Sequence, residues 1–281
     1  MTGSRAALVL VATPIGNLGD LSPRAIRELA AADAIACEDT RRTGRLLQHA
    51  GVRANALLTV NDHTEAAAVA EVLRRLDAGQ RVAVVTDAGT PGISDPGERL
   101  VRAAARAGHD ILVVPGPSAA IAALVASGLP TGRFVFEGFL PRRGAPRTER
   151  LTTLAAEERT IVLYEAPHRI ARTITDLAVA FGANRRVAIA RELTKLHEEV
   201  WRGTLGDAVA WASTEPPGEF VVVIDGAPER PVAADDEVRA ALLAELASGA
   251  TPRDAASAVA DGLGVSRRRA YELAIEVRRG A

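Results

Sequence analysis

Residues 84–97 read V-V-T-D-A-G-T-P-G-I-S-D-P-G, and this stretch governs the interpretation of the whole chain. The β-branched apolar run at 81–85 predicts a buried strand, and residues 87–97 contain three glycines and two prolines. Asp95 suits the N-cap of a following helix and Pro96 its first position. Because ligands in open α/β sheets lie beyond the carboxyl ends of strands, we expect a ligand at residues 87–97, here named the shelf. An ordinary strand–helix turn is the alternative.

The residues around the shelf argue against a phosphate ligand. Neither G-x-G-x-x-G nor G-x-x-x-x-G-K-[ST] follows any predicted strand, and no lysine lies near the shelf. Of the 34 basic residues, only Lys195 is a lysine. A single compact ammonium in a chain that otherwise uses arginine indicates a position where a planar guanidinium does not serve, with chance retention as the alternative.

The composition limits the class of protein. A chain of 281 residues, 48% hydrophobic and 25% charged, is typical of a globular protein with two domains and a small appendage. One cysteine and five histidines without paired ligand spacing predict no metal site. The apolar run near the N-terminus is too short to span a bilayer and lacks a cleavage site, so we expect a cytoplasmic protein without a membrane partner.

Strands alternate with helices along the chain, which predicts an α/β fold with two α/β domains. Three strand ends in the first half lead through Gly/Pro loops into helices, at 13–18, 87–97 and 115–119. Right-handed crossovers then place these loops at one edge of a mainly parallel sheet. The first α/β domain, with the shelf, is predicted at 1–116, and the second at 117–226.

The second domain is expected to contain a mixed sheet, because only one helix separates its last two strands at 200–205 and 220–224. A linker at 226–234 precedes a small helical segment, 235–281, with three predicted helices. The last two of these helices resemble a helix-turn-helix, which is a weak indication of nucleic-acid binding and is equally typical of a packing unit.

The charge is unevenly distributed although the net charge is only −1. The basic loop, residues 140–147, and the start of the next helix hold Arg142, Arg143, Arg147 and Arg150. A second arginine-rich stretch covers 251–281. Local basic patches on a neutral body favour contact with a structured nucleic acid at chosen places, and a solvated surface is the alternative.

Seven motifs in order resemble those of a known family. They are V-A-T-P-I-G-N-L (11–18), C-E-D-T-R (37–41), T-D-A-G-T-P-G-I-S-D-P-G (86–97), P-G-P-S-A (115–119), E-G-F-L-P (137–141), Y-E-A-P-H-R (164–169) and R-E-L-T-K-L-H-E-E (191–199). In sequence and spacing they resemble the bacterial ribosomal RNA small-subunit methyltransferase I family. The resemblance runs from about residue 8 to residue 224.

The resemblance implies the tetrapyrrole-methylase (class III methyltransferase) fold and a 2′-O-methylation of the ribose of cytidine 1402, a decoding-centre nucleotide of 16S rRNA. The implied methyl donor is S-adenosylmethionine, and the implied substrate is 16S rRNA within the small (30S) subunit. A homodimer is also implied. Two alternatives are a small-molecule tetrapyrrole methylase of the same fold and a non-catalytic RNA-binding module.

The site residues implied by the resemblance fall on the loops already described. The cofactor-binding set is Pro14, Ala88, Gly89, Ile93, Ser118, Ala119, Tyr164 and Leu193. A ribose hydroxyl is a weak nucleophile at neutral pH, so a base or a cation that stabilises the developing alkoxide is expected nearby. The catalytic candidates at strand ends are Lys195, Glu192, His168 and Asp87. Arg142, Arg143 and Arg147 are the candidate RNA contacts.

Overall fold

The computed structural model describes residues 6–60, 65–214, 216–228 and 233–280, and for residues 65, 66, 279 and 280 it describes the backbone only. The chain forms two compact units, 1–227 and 228–281. The first unit contains both α/β sheets, so the predicted division of the sheets into domains 1–116 and 117–226 stays a prediction.

Five parallel strands form the first sheet. They are β1 (Ala7–Val11), β2 (Ala34–Cys37), β3 (Leu57–Thr59), β4 (Arg81–Val84) and β5 (Ile111–Val114). Their order is β3-β2-β4-β1-β5. The connecting helices are α1 (Pro23–Ala31), α2 (Thr40–His49), α3 (Glu65–Asp77) and α4 (Glu98–Arg106). The predicted mainly parallel first sheet is thereby confirmed.

The first sheet is buried on both faces, which explains why its strands are apolar runs and do not alternate. Val9 and Val11 face one side, where α1 and α2 contribute Leu29 and Leu47. Leu8 and Val82 face the other side and pack against α3 and α4. Full burial of each such side chain stabilises the fold by about 2 kcal/mol. The polar ends of the strands therefore meet solvent only at the two edges of the sheet.

The helix after the shelf begins later than the sequence predicts. Asp95 and Pro96 were expected at the N-cap and the first helical position, but α4 begins at Glu98, with Gly97 as its N-cap at φ 134°. This backbone conformation favours glycine, so the helix entry is set by Gly97. The prediction was wrong, and Asp95 is released from the helix to face the region above the sheet.

The second sheet is mixed, as predicted. Its strands are β6 (Phe134–Phe139), β7 (Thr160–Glu165), β8 (Arg186–Arg191), β9 (Glu199–Thr204) and β10 (Phe220–Ile224), in the order β6-β7-β10-β8-β9. Only β6 and β7 pair in parallel, and the other neighbours are antiparallel. The helices α5 (Ala119–Ser127), α6 (Ala145–Ala155), α7 (Ile170–Phe181) and α8 (Leu205–Ala212) complete this part of the unit.

Helix α5 follows the last strand of the first sheet but packs on the second sheet. Ala123 and Leu124 of α5 lie against Val162 of β7 and Ala188 of β8 in one buried cluster. The other face of the second sheet packs against α7 and α8. Since α5 begins directly after the loop at 115–118, this packing brings the edge loops of the first sheet next to the second sheet.

The second unit contains α9 (Asp235–Ala247), α10 (Pro252–Leu263) and α11 (Arg267–Gly280). Thr251 caps α10 by accepting from the N–H of Asp254, and Ser266 accepts from the N–H of Arg269 in α11. Val238, Leu242 and other apolar residues form a core of their own. Part of the predicted linker, 229–232, lies outside the described residues. Among the described helices, none has both the length and the apolar character that crossing a membrane requires.

Candidate active site

A cavity of about 420 Å³ lies where the edge loops of the first sheet meet the second sheet. This volume lies in the range of small-molecule sites. All three predicted Gly/Pro loops reach it, through Ile15, Asp87 to Asp95, and Ser118. The second sheet and the loop after β8 contribute Phe139, Tyr164, Ala190, Leu193 and Lys195. The prediction that the three loops share one edge of the sheet is confirmed.

Gly89 is the closest contact between the shelf and the first loop. Its N–H donates to the carbonyl of Thr13 (3.1 Å), and its own carbonyl accepts from the N–H of Thr13 (2.8 Å). The residue has φ 82°, and a Cβ there would lie 3.4 Å from Cγ2 of Ile15. Gly89 therefore forms the floor of the cavity by close backbone packing, because its own hydrogen-bonding groups are already used.

The N-terminus of α5 is capped from the second sheet. Ser118 occupies the N-cap, but its hydroxyl makes no capping hydrogen bond and faces the cavity. Instead the N–H of Ala120 donates to the hydroxyl of Tyr164 on β7 (3.3 Å). Burial, and next the charge of Asp95, raise the pKa of Tyr164 above its usual value, although the hydrogen bond from Ala120 acts in the opposite direction. The Ser118 hydroxyl thus stays available to a ligand.

The opposite side of the cavity is a strained loop after β8. Glu192 and Thr194 have φ angles of 50° and 64°, a backbone region that costs a non-glycine residue about 1–3 kcal/mol. Two contacts hold this loop. The N–H of Glu192 donates to the carbonyl of Glu219 (3.0 Å), and the N–H of Asn17 donates to Oγ1 of Thr194 (3.1 Å). These contacts hold the strained loop in place, and Leu193 and Lys195 of this loop line the cavity.

Lys195 is bound to two carboxylates. Its Nζ lies 2.9 Å from Oε1 of Glu192 and 2.9 Å from Oε2 of Glu219. Burial alone lowers the pKa of this ammonium, but the hydrogen bonds to Glu219 and Glu192 outweigh burial and raise the pKa. Glu192 in turn has a pKa below its usual value: its burial acts upward, but the hydrogen bond from the N–H of Glu219 and the contact with Lys195 prevail. Lys195 is thus held as a cation, and its predicted catalytic role stays a prediction.

Three acidic residues of the first sheet's edge also line the cavity: Glu38, Asp87 and Asp95. Asp87 forms an ion pair with Arg42 at the start of α2 (3.2 Å). Burial, followed by the charges of Glu38 and Asp87, raises the pKa of Asp95 to about 6. Asp95 is absent from the predicted site residues, because its D-P-G context is typical of a helix cap. Glu38 is absent from them too, although it directly follows the buried strand β2 and a strand end of this kind marks the same edge.

Most of the predicted cofactor-binding residues line the cavity, namely Ala88, Gly89, Ile93, Ser118, Ala119, Tyr164 and Leu193. Among the catalytic candidates, Lys195 and Asp87 do so as well. Pro14 is buried beneath the loop, and its neighbour Ile15 takes the lining position. Glu192 lies outside the lining residues and contacts one of them, Lys195, through an ion pair. His168 is exposed on the 3-10 turn Pro167–Arg169, whose Pro167 faces the cavity instead, so the expectation that His168 faces the cavity is corrected.

The basic loop contains two exposed arginines and one buried arginine. Arg142 and Arg143 are exposed, and no hydrogen bond or ion pair joins either of them to another described residue. Arg147 is 4% exposed. Its guanidinium binds Asp176 (2.8 Å), Thr173 Oγ1 (3.0 Å) and the carbonyl of Pro141 (2.9 Å). Arg147 therefore braces the basic loop from inside and is removed from the predicted set of RNA contacts.

The residues that line the cavity fit S-adenosylmethionine. An unused hydroxyl on Ser118 and the apolar side chains of Ile15 and Ile93 suit a ligand with both polar and apolar parts. The carboxylate of Asp87 suits the cationic sulfonium or amino group. The described residues contain no group of three or more His, Cys, Asp or Glu placed to hold a metal ion.

The fold and this cavity define a class, the α/β methyltransferases of the tetrapyrrole-methylase type. Residues 7–209 match the family described as Tetrapyrrole (Corrin/Porphyrin) Methylases. Within that class, a ribosomal RNA small subunit methyltransferase I from Synechocystis sp. is 50% identical over 273 residues, which cover 96% of this chain and 98% of that protein. The chain belongs to the ribosomal RNA small subunit methyltransferase I family, and its predicted family and enzyme class are confirmed.

Solved structures agree on the fold. The methyltransferase CobJ has a TM-score of 0.61 and 23% identity, covering 82% of this chain and 98% of that one. A uroporphyrin-III C-methyltransferase from Thermus thermophilus, complexed with S-adenosylhomocysteine, has a TM-score of 0.54 and 20% identity, covering 78% of this chain and 97% of that one. At these identities the likeness concerns the fold alone, and the predicted tetrapyrrole-methylase fold is confirmed.

Proposed function

We propose that this chain transfers the methyl group of S-adenosylmethionine to the ribose 2′-oxygen of cytidine 1402 in 16S rRNA. Its membership of the ribosomal RNA small subunit methyltransferase I family supports this proposal. The observation that carries it is the pair Arg142 and Arg143. These two exposed cations, which pair with no other described residue, follow Phe139 of the cavity wall, and a cavity for an isolated tetrapyrrole has no need of them.

Some residues of the cavity bind the methyl donor, and others stabilise the charge that develops on the acceptor oxygen. Ala88, Gly89, Ser118 and Ala119 hold the donor, which supplies a methyl group activated by positive charge on sulfur. Much of the rate then comes from holding the acceptor oxygen about 3 Å from that methyl carbon. Lys195 carries a lasting positive charge toward the cavity, so it stabilises the negative charge that develops on the ribose oxygen.

The substrate we propose is the 16S rRNA within the assembled small subunit. The basic loop is braced by Arg147 and by Arg169, whose guanidinium donates to the carbonyl of Leu140 (2.7 Å). A rigid loop that presents two arginines suits a folded RNA surface at a fixed distance from the reacting ribose. A substrate on the small subunit also places the enzyme in the cytoplasm.

We also propose a homodimer, as the resemblance implies. The edge strand β5 leaves Leu112 and Val113 exposed, and α5 leaves Ile121 and Val125 exposed, the last at 71%. Unpaired strand edges and apolar helix faces favour cover by a second copy of the chain. Sedimentation of Ile121→Glu/Val125→Glu tests this proposal: a monomer is expected, while Val179→Glu, at the exposed Val179 of α7, stays dimeric. A monomeric parent protein contradicts it.

The deciding experiment supplies methyl-labelled S-adenosylmethionine with small subunits from a strain that lacks this activity. Label is expected in 16S rRNA, in a 2′-O-methylcytidine recovered from the fragment that contains position 1402. Parallel reactions contain naked 16S rRNA and isolated tetrapyrroles. Label in the tetrapyrroles and none in the rRNA would establish the alternative function, and stable RNA binding without label would establish the binding module.

A further inference from the structure

Asp95 differs from the other carboxylates that line the cavity. Those carboxylates belong to Glu38, Asp87, Glu165 and Glu219. Asp87 is paired with Arg42, and Glu219 with Lys195. Glu165 contacts Arg169 and Thr173, and Glu38 has a contact of its own. By contrast, no hydrogen bond or ion pair joins the carboxylate of Asp95 to any other residue that the structure describes. The Asp95 carboxylate is therefore free to accept a proton from a bound ligand.

The turn that carries Asp95 holds this residue where both sheets meet. Ser94 has φ 61°, Pro96 restricts the backbone on the other side, and Gly97 ends the turn at φ 134°. The Ser94 hydroxyl lies so near β6 that a Cβ on Gly138 would come within 3.0 Å of it. Asp95 is thereby fixed at the end of the shelf that lies next to the second sheet, where it lines the cavity.

Charges on several elements face Asp95. Glu38 at the end of β2 and Asp87 at the end of β4 both oppose its ionisation, and so does burial. Tyr164 of β7 interacts with it from the second sheet. Arg42 offers no direct compensation because it is paired with Asp87. The pKa of about 6 that results leaves Asp95 ionised at neutral pH and more basic than an ordinary carboxylate.

We infer that Asp95 is the general base of the proposed methyl transfer and accepts the proton of the ribose 2′-hydroxyl. This inference rests on the proposed function. In the step, the 2′-oxygen forms a bond to the methyl carbon while the carbon–sulfur bond breaks, and the electron pair of that bond stays on sulfur. The hydroxyl proton goes to the carboxylate of Asp95, so charge and atoms balance.

The other candidates for this base are occupied or misplaced. Lys195 is held protonated between Glu192 and Glu219, so its ammonium has no lone pair to offer. His168 is exposed and lies outside the residues that line the cavity. Oδ2 of Asp87 is held in an ion pair by Arg42 (3.2 Å). Among the described residues of the cavity, Asp95 combines access and basicity.

The test is single-turnover methylation of small subunits across pH 5–9 at saturating S-adenosylmethionine. In the parent protein the rate is expected to rise with pH to a plateau, with an inflection near 6. Asp95→Asn is expected to lower the plateau rate at least about 100-fold and to remove the inflection. Glu38→Gln removes a neighbouring negative charge and is expected to move the inflection to lower pH. Asp236→Asn, at a fully exposed aspartate of α9, is the matched control.

Two further measurements separate catalysis from folding and from binding of the donor. Calorimetry gives the affinity for S-adenosylmethionine, and thermal unfolding at pH 8 reports on folding. Asp95→Asn is expected to have a higher unfolding midpoint than the parent, because it removes a carboxylate that folding makes harder to ionise. A variant that folds poorly does not show this gain.

Several outcomes overturn the inference. It fails if Asp95→Asn methylates within about 10-fold of the parent rate, or if the inflection survives in that variant. It also fails if saturating donor restores the rate, because Asp95 then binds the donor and does not accept the proton. A parent protein that methylates no rRNA overturns the proposed function along with this inference, whereas active parent and active variant together overturn the inference alone.

Discussion

The two sides of the cavity hold their charges in opposite ways. On the side of the first sheet, the Asp95 carboxylate has no partner among the described residues, and burial with two like charges raises its pKa to about 6. On the side of the second sheet, the Lys195 ammonium is shared between Glu192 and Glu219. A carboxylate without a partner is able to take up a proton, whereas an ammonium held between two carboxylates acts through its fixed positive charge. Whether a charged side chain has an ion-pair partner therefore distinguishes the expected base from the expected charge stabiliser better than its residue type does.

The largest effect is expected from filling the floor of the cavity, on the side of the first sheet that carries Asp95. Gly89→Val is expected to lower the affinity for S-adenosylmethionine more than 100-fold, because a branched side chain enters the cavity from a backbone at φ 82°. Calorimetry measures the affinity. Gly79→Val is the matched control, since Gly79 has φ 81° but open space around it and lies outside the cavity lining. Equal affinities in both variants would remove Gly89 from the donor site.

Lys195 tests the other side. Lys195→Ala is expected to lower the single-turnover rate about 100-fold, because the developing negative charge loses a cation and two carboxylates lose their partner. Lys195→Arg keeps a charge that does not titrate and is expected to stay within about 10-fold of the parent rate. If the arginine variant fails as badly as the alanine variant, charge alone does not explain Lys195, and its compact shape or its proton is required.

The distinction between charges with and without a described partner also applies to arginines on the protein surface. Arg142→Ala/Arg143→Ala is expected to weaken small-subunit binding about 10-fold and to reduce the slope of log affinity against log salt by about 2. Arg267→Ala/Arg268→Ala, at arginines of α11 paired with Asp261 (3.4 Å) and Glu272 (3.0 Å), is expected to change neither quantity. Filter binding at several salt concentrations measures both. The reverse result would assign RNA contact to the C-terminal unit.

The smallest expected effect concerns stability. The pKa of Asp95 is higher in the folded chain than its ordinary value of 3.8, so folded protein binds this proton more tightly. Stability from this group is therefore present below about pH 4 and lost as pH rises through about 6. Asp95→Asn is expected to gain about 1 kcal/mol at pH 8 and nothing at pH 4, since partial exposure weakens the effect. Denaturant unfolding at both pH values measures the difference, and a loss at pH 8 contradicts it.

The architecture of this chain is readable from its sequence because its elements are locally marked. Buried strands are continuous apolar runs, and Thr251 with Ser266 caps the last two helices where the pattern predicts. The carboxyl ends of parallel strands lie at the same edge of a sheet, and the sequence therefore predicts correctly that the loops at 13–18, 87–97 and 115–119 lie together.

The chemistry of individual side chains is less readable because it depends on distant partners. Arg147 is buried by Asp176 and Thr173, which lie on the next helix. Lys195 owes its stable charge partly to Glu219, 24 residues away. For Asp95, local rules favoured a helix cap, and only the glycine at 97 with its positive φ decided otherwise. Burial and pairing of charged groups are tertiary properties, and a single sequence does not encode them locally.

The bracing of the basic loop has a kinetic consequence. The guanidinium groups of Arg147 and Arg169 hold the carbonyls of Pro141 and Leu140, so the loop keeps its shape before any RNA arrives. A surface that needs no rearrangement captures its target in one diffusional step, at a rate set by electrostatic attraction. Association with the small subunit should then follow a single exponential phase that slows as salt is added. Whether an encounter leads to binding then depends on how well the RNA surface fits the rigid basic loop.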